Sequence, residues 1–87
     1  MYLHIGNNIS IPSDDIIGIF DIDNATTSKA TRNYLKTAEE EGMLTAVSGE
    51  LPKSLIVSCP RGSWQRVYIS PLAPATLLGR LESIRKH

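Results

Sequence analysis

Cysteine is almost missing from this sequence: Cys59 stands alone, so no internal disulfide can form and a reducing compartment is expected. Histidine is as scarce. His4 and His87 lie near opposite ends, and without a second thiol they complete no cluster at zinc-ligand spacing, so neither a metal nor a cofactor is expected. Long apolar runs are lacking as well, none approaching the roughly 18 residues of a membrane-spanning helix, and no membrane association is expected. Met1 is followed at once by an alternating strand pattern instead of a basic segment and an apolar core, which points to a cytoplasmic location.

What remains is short. Residues 1–87 suffice for a single domain that buries little more than about 60% of its unfolded surface. Chains of this size add to a thin core with disulfides, a metal or a partner subunit. With the first two excluded by composition, self-association is the expected source of added stability.

The charges sum to zero, yet they are sorted along the chain. Residues 1–50 hold eight carboxylates against Lys29, Arg32 and Lys36, a net −5; residues 51–87 hold Lys53, Arg61, Arg66, Arg80, Arg85 and Lys86 against Glu82, a net +5. Such a chain can present an acidic and a basic surface, suited to contact between identical subunits or to an anionic ligand. Folding that interleaves the halves would erase the polarity.

The apolar pattern predicts an α+β fold, a small antiparallel sheet domain in the order βββ-α-βββ-α. Leu3 and Ile5 alternate with Tyr2 and His4, then Gly6-Asn7-Asn8 supplies a turn before Ile9 and Ile11, which reads as a hairpin. Ile16 to Ile22 is a β-branched run consistent with a central strand. After capping side chains at 24–27, Ala30, Tyr34, Leu35 and Ala38 share one face of a helix from about Thr27 to Glu41, stopped by Gly42. Lys29, Arg32 and Lys36 near its start and Glu39, Glu40 and Glu41 at its end oppose the macrodipole, at a few tenths of a kcal/mol each. Met43 to Val47 and two strands around the turn Pro60 to Ser63 form the second β set. Leu55, Val57 and Cys59 alternate there with Ser54, Ile56 and Ser58. Pro74 then opens a helix whose apolar face is Leu77, Leu78, Leu81 and Ile84. Trp64, near the hairpin tip, is expected to cover a neighbouring apolar face rather than to stack on a partner.

One motif invites a catalytic reading. Ile16 through Thr26, with Asp21, Asp23 and Thr26, resembles the opening signature of the haloacid-dehalogenase family of phosphatases, where a strand-end aspartate attacks phosphorus and a second acts as acid and base beside Mg²⁺. The remaining requirements are missing. A parallel doubly wound sheet, a downstream lysine and a downstream acidic pair have no counterpart, and Asp14-Asp15 lies upstream. The expectation is therefore no catalytic residue and no enzyme, with Asp23 and Asn24 turning the chain into the helix.

Several segments in order, Leu3-His4-Ile5-Gly6, Ile16 to Asn24, Glu40-Glu41-Gly42, Leu51-Pro52-Lys53-Ser54 and Val67 to Pro71, resemble the RemA/RemB extracellular-matrix regulatory protein family over nearly the whole chain. The resemblance implies a cytoplasmic, ring-forming homo-oligomer that regulates transcription of biofilm matrix genes. It also implies duplex DNA as a ligand, held on a surface of repeated cations, and a paralogue as a further partner. Repetition makes physical sense, since a ring multiplies weak phosphate contacts into avidity and a steep salt dependence. The RemA branch carries an arginine-rich stretch where this chain has Gly49-Glu50-Leu51-Pro52-Lys53, leaving one cation and adding a carboxylate. The candidate DNA contacts are Lys53, Arg61 and Arg66, with Arg32 and Lys36 as secondary ones, all to phosphate rather than to bases. The alternative is a non-catalytic assembly module that acts through protein contacts without DNA.

Overall fold

The computed structural model describes residues 1–86, so His87 lies outside the described residues. The chain runs β1 (Tyr2–Gly6), β2 (Ile9–Pro12), a 3-10 turn (Ser13–Asp15), β3 (Ile16–Asp21), α1 (Ile22–Ala25), α2 (Lys29–Glu40), β4 (Leu44–Ala46), β5 (Ser54–Ser58), β6 (Arg66–Ser70) and α3 (Pro74–Arg85). The α+β class and the strand-helix order hold, with the extra turn α1 inserted before the first long helix.

The first hairpin turns where the sequence places it. Gly6, Asn7 and Asn8 all have positive φ, at 117°, 46° and 63°, a path that asparagine and glycine tolerate better than other residues. The Asn7 amide then donates to the Val47 carbonyl at 3.0 Å, tying the turn to the loop after β4.

The main sheet has the order β3-β5-β6-β4. Its first two pairings are antiparallel, whereas β4 runs parallel to β6, because α2 carries the chain across the sheet before β4 is laid down. β3 is consequently an edge strand, not the central one its β-branched run suggests. The central position goes to β5. Its Ser54, Leu55 and Ile56 are consecutive and all buried, so the strand is covered on both faces instead of alternating inward and outward. The strand ends at Ser58, leaving Cys59 exposed.

Two apolar layers form on the two faces. On one, Leu3, Ile5 and Ile11 of the hairpin and Leu77 and Leu81 of α3 close over Ile16, Ile56 and Val47. On the other, Ala38 of α2 meets Leu55 and Val67, with Leu35, Ile22 and Ile69 at the margin. The second layer is the thinner. Of the four apolar residues expected on the inner face of α2, Ala38 is buried and Leu35 half-buried, while Ala30 and Tyr34 stay exposed. In α3, Pro74 stands at the start as expected, but Leu78 is 43% exposed and falls outside the apolar face.

Three serines on the hairpin-covered side of the sheet are fully buried. Ser70 Oγ donates to the Ile5 carbonyl at 2.6 Å and accepts from the Leu72 amide at 3.1 Å, joining β6, the first hairpin and the entry to α3. Ser54 Oγ donates to the Leu72 carbonyl at 2.6 Å. Ser58 Oγ has no partner among the described residues. The two environments give opposite expectations, since stranding a buried partner costs about 1–3 kcal/mol whereas deleting an unpaired hydroxyl costs little or stabilises. Denaturant unfolding midpoints should therefore drop for Ser70→Ala and stay level or rise for Ser58→Ala.

Candidate functional site

The five candidate cations do not form one patch. Lys53 precedes β5, where its amide donates to the Ser70 carbonyl at 2.9 Å and its own carbonyl accepts from the Ile22 amide at 3.0 Å. Arg61 sits in the turn at the far end of β5, separated from Lys53 by about 17 Å of strand at roughly 3.3 Å per residue. Arg66 opens β6 opposite Ser58, so Arg61 and Arg66 belong to the same end of the sheet. Arg32 and Lys36 lie on α2, both exposed. The Arg32 guanidinium is occupied, donating through Nη1 to the carbonyls of Thr26 and Thr27 at 2.8 and 3.0 Å, where α1 ends.

Carboxylates accompany two of the others. Lys53 shares a hollow with Asp21 and Asp23, and Arg66 shares one with Glu41, Met43 and Trp64. Folding thus interleaves the acidic and basic halves of the chain at both ends of the sheet. Trp64 itself is 83% exposed and does not lie over a neighbouring apolar face, contrary to the expectation from its position.

Asp21 has a structural task. Its Oδ1 accepts from the amides of Asp23 at 2.9 Å and Asn24 at 3.3 Å, which makes Asp21, rather than Asp23 or Asn24, the residue that caps the turn α1. Ser28 performs the same service for α2, accepting from the Thr31 amide at 3.4 Å.

The feature that sequence reasoning missed lies between α2 and the sheet. Ile17, Phe20, Tyr34, Leu35, Val57 and Val67 line an open apolar groove of about 300 Å³. Ile17 and Phe20 are 63% and 48% exposed, large values for two apolar residues of one strand. A glycine shapes its floor. A Cβ on Gly18 would come within 2.7 Å of the Phe20 ring, so the missing side chain lets that ring lie along the strand. Partial burial beside this groove disfavours the charged phenolate and raises the Tyr34 pKa above its usual 10.0.

The sequence is similar to known proteins over most of its length. The model of the RemA-like family, described as extracellular matrix regulatory protein A-like, matches residues 2–81. The extracellular matrix regulatory protein B of Bacillus subtilis (strain 168) is 34% identical over 82 residues, covering 94% of this chain and 91% of that protein.

Two outcomes follow from the side chains around α1 and α2. Asp21→Ala should cost about 1 kcal/mol in denaturant unfolding through loss of the cap, and phosphatase activity should be absent from the parent and variant alike. For Tyr34, a phenol pKa raised on folding gives stability that is full below the unfolded value of 10.0 and falls as pH rises through the folded one. Tyr34→Phe should lessen the loss of melting temperature on going above pH 10 relative to the parent.

Proposed function

This chain belongs to the RemA-like family of extracellular matrix regulatory proteins, and from that membership we propose that it is a non-catalytic, ring-forming transcriptional regulator of matrix genes whose assembled copies hold duplex DNA through repeated cations. The observation that carries the assembly part is the uncovered groove beside α2, with Ile17 63% exposed and Phe20 48% exposed. An apolar surface of this kind on a domain of 87 residues is stabilised by covering it, and the chain holds no disulfide to compensate.

For DNA, the pair Arg61 and Arg66 at one end of the sheet is the best-placed phosphate contact, with Lys36 next. Lys53 is weakened by Asp21 and Asp23 in its hollow, and Arg32 by its two backbone carbonyls. One copy then brings too few free cations for useful affinity, whereas a ring that repeats them releases many counterions together.

A second reading has its own support. The mixing of carboxylates with Lys53 and Arg66 dilutes the positive surface, which favours an assembly module acting through protein contacts, a paralogue among them, without touching DNA.

Light scattering across a concentration series, followed by mobility shifts of duplex DNA over a range of salt, separates the two. The DNA-binding reading expects a mass above the monomer and a shift that weakens steeply with salt and is lost in an Arg61→Ala, Arg66→Ala variant. No retardation by the assembled protein at low salt leaves the assembly module. A monomer at every concentration removes both.

A further inference from the structure

The charge order of α2 works against the helix that bears it. Lys29, Arg32 and Lys36 occupy its first two-thirds, Glu39 and Glu40 its last turn, and no acidic residue stands in the first turn or basic residue in the last. Within one chain this arrangement is unfavourable at both ends. Between two copies it is self-complementary: a helix that is positive at the start and negative at the finish matches its own antiparallel image.

The geometry of the helix surface carries the match further. At roughly 100° per residue, Ala30, Asn33 and Thr37 form a stripe of small or short side chains, all exposed. Tyr34, which lines the groove, flanks the stripe on one side; Lys29, Lys36 and Glu40 flank it on the other. The middle of α2 falls between Tyr34 and Leu35, and a twofold axis there sets Lys29 of each copy opposite Glu40 of the other. Residues that flank one side of such a stripe meet the same side of the antiparallel partner.

We propose that α2 packs antiparallel against the α2 of a second copy about a twofold axis at its centre, so that each helix roofs the apolar groove bounded by Ile17, Phe20 and Tyr34. This rests on the self-assembly put forward above and names the surface that performs it. Charge complementarity selects a second copy as the occupant, since the groove itself is apolar and the charges along the far side of the stripe run in an order that an antiparallel image of the same helix satisfies. A specific interface takes roughly 800 Å² from each partner, more than a helix stripe of 12 residues offers, and the open side chains of Ile17 and Phe20 add apolar area beside it. Such a contact alone stops at a dimer; a closed ring takes a second, different contact elsewhere on the copy.

Charge reversal tests this without loss of fold. Lys29→Glu improves the fit to the helix dipole, and in Glu40→Lys that gain is offset by the like charge set four residues from Lys36, so the melting temperature of the dilute protein should hold or rise for the first and stay close to the parent's for the second. Each alone sets like charges together twice across the axis, and its dissociation constant in sedimentation equilibrium should rise by about tenfold or more. An equimolar mixture of the two variants restores opposite charges at both positions and should regain the parent's association, as should the double variant K29E/E40K. If the single variants associate as tightly as the parent, or the mixture stays as weak as its components, α2 is not the contact, while assembly through another face stands. If the parent itself is monomeric at every concentration, the self-assembly reading falls and this one with it, and the groove serves some other occupant.

Discussion

Ser54, Leu55 and Ile56 follow one another along β5, and all three are buried. A strand buried on both faces needs two covers at once, and a chain of this length has material for one good cover and one partial one. The hairpin β1–β2 and α3 supply the first, held to the sheet by Ser70 through the carbonyl of Ile5 and the amide of Leu72. α2 supplies the second through little more than Ala38 and Leu35. The groove, the exposed flank of β3 and the unfinished face of the molecule all descend from this shortage.

The electrostatic layout follows from the same topology. β5 separates Lys53 from Arg61, because one precedes the strand and the other follows it. Antiparallel pairing of β3 with β5 then brings Asp21 to the Lys53 end, and the return from α2 brings Glu41 to the Arg66 end. A chain that is acidic in one half and basic in the other thereby loses most of its polarity on folding. A single copy is therefore left with few cations that carboxylates do not accompany.

Local chemistry was largely legible before any fold was known. Gly6-Asn7-Asn8 carries its turn in its backbone preferences, Pro74 its helix start, and Gly42, with φ at 73°, the end of α2. The ordered segments from Leu3 to Pro71 carried the family. Less legible was which side chains would be buried. The β-branched run of β3 looks the same at an edge as at a centre, since edge or centre is decided by what lies alongside it. Trp64 could not be assigned a surface without knowing that its hairpin brings it beside the end of α2, and Asp21 could not be separated from Asp23 as a cap until the strand was seen to run to Asp21 itself.

Sequence by itself determined the turns, the helix ends, the α+β order and the reversed charge pattern of α2, because each of these is settled by residues within a few positions of one another. Tertiary structure alone decided that β5 is central and β3 marginal, that β4 runs parallel to β6, and that the candidate cations are split between two ends of a sheet. Those outcomes depend on pairings between segments distant along the chain, whose energies lie in shared burial and not in any local preference.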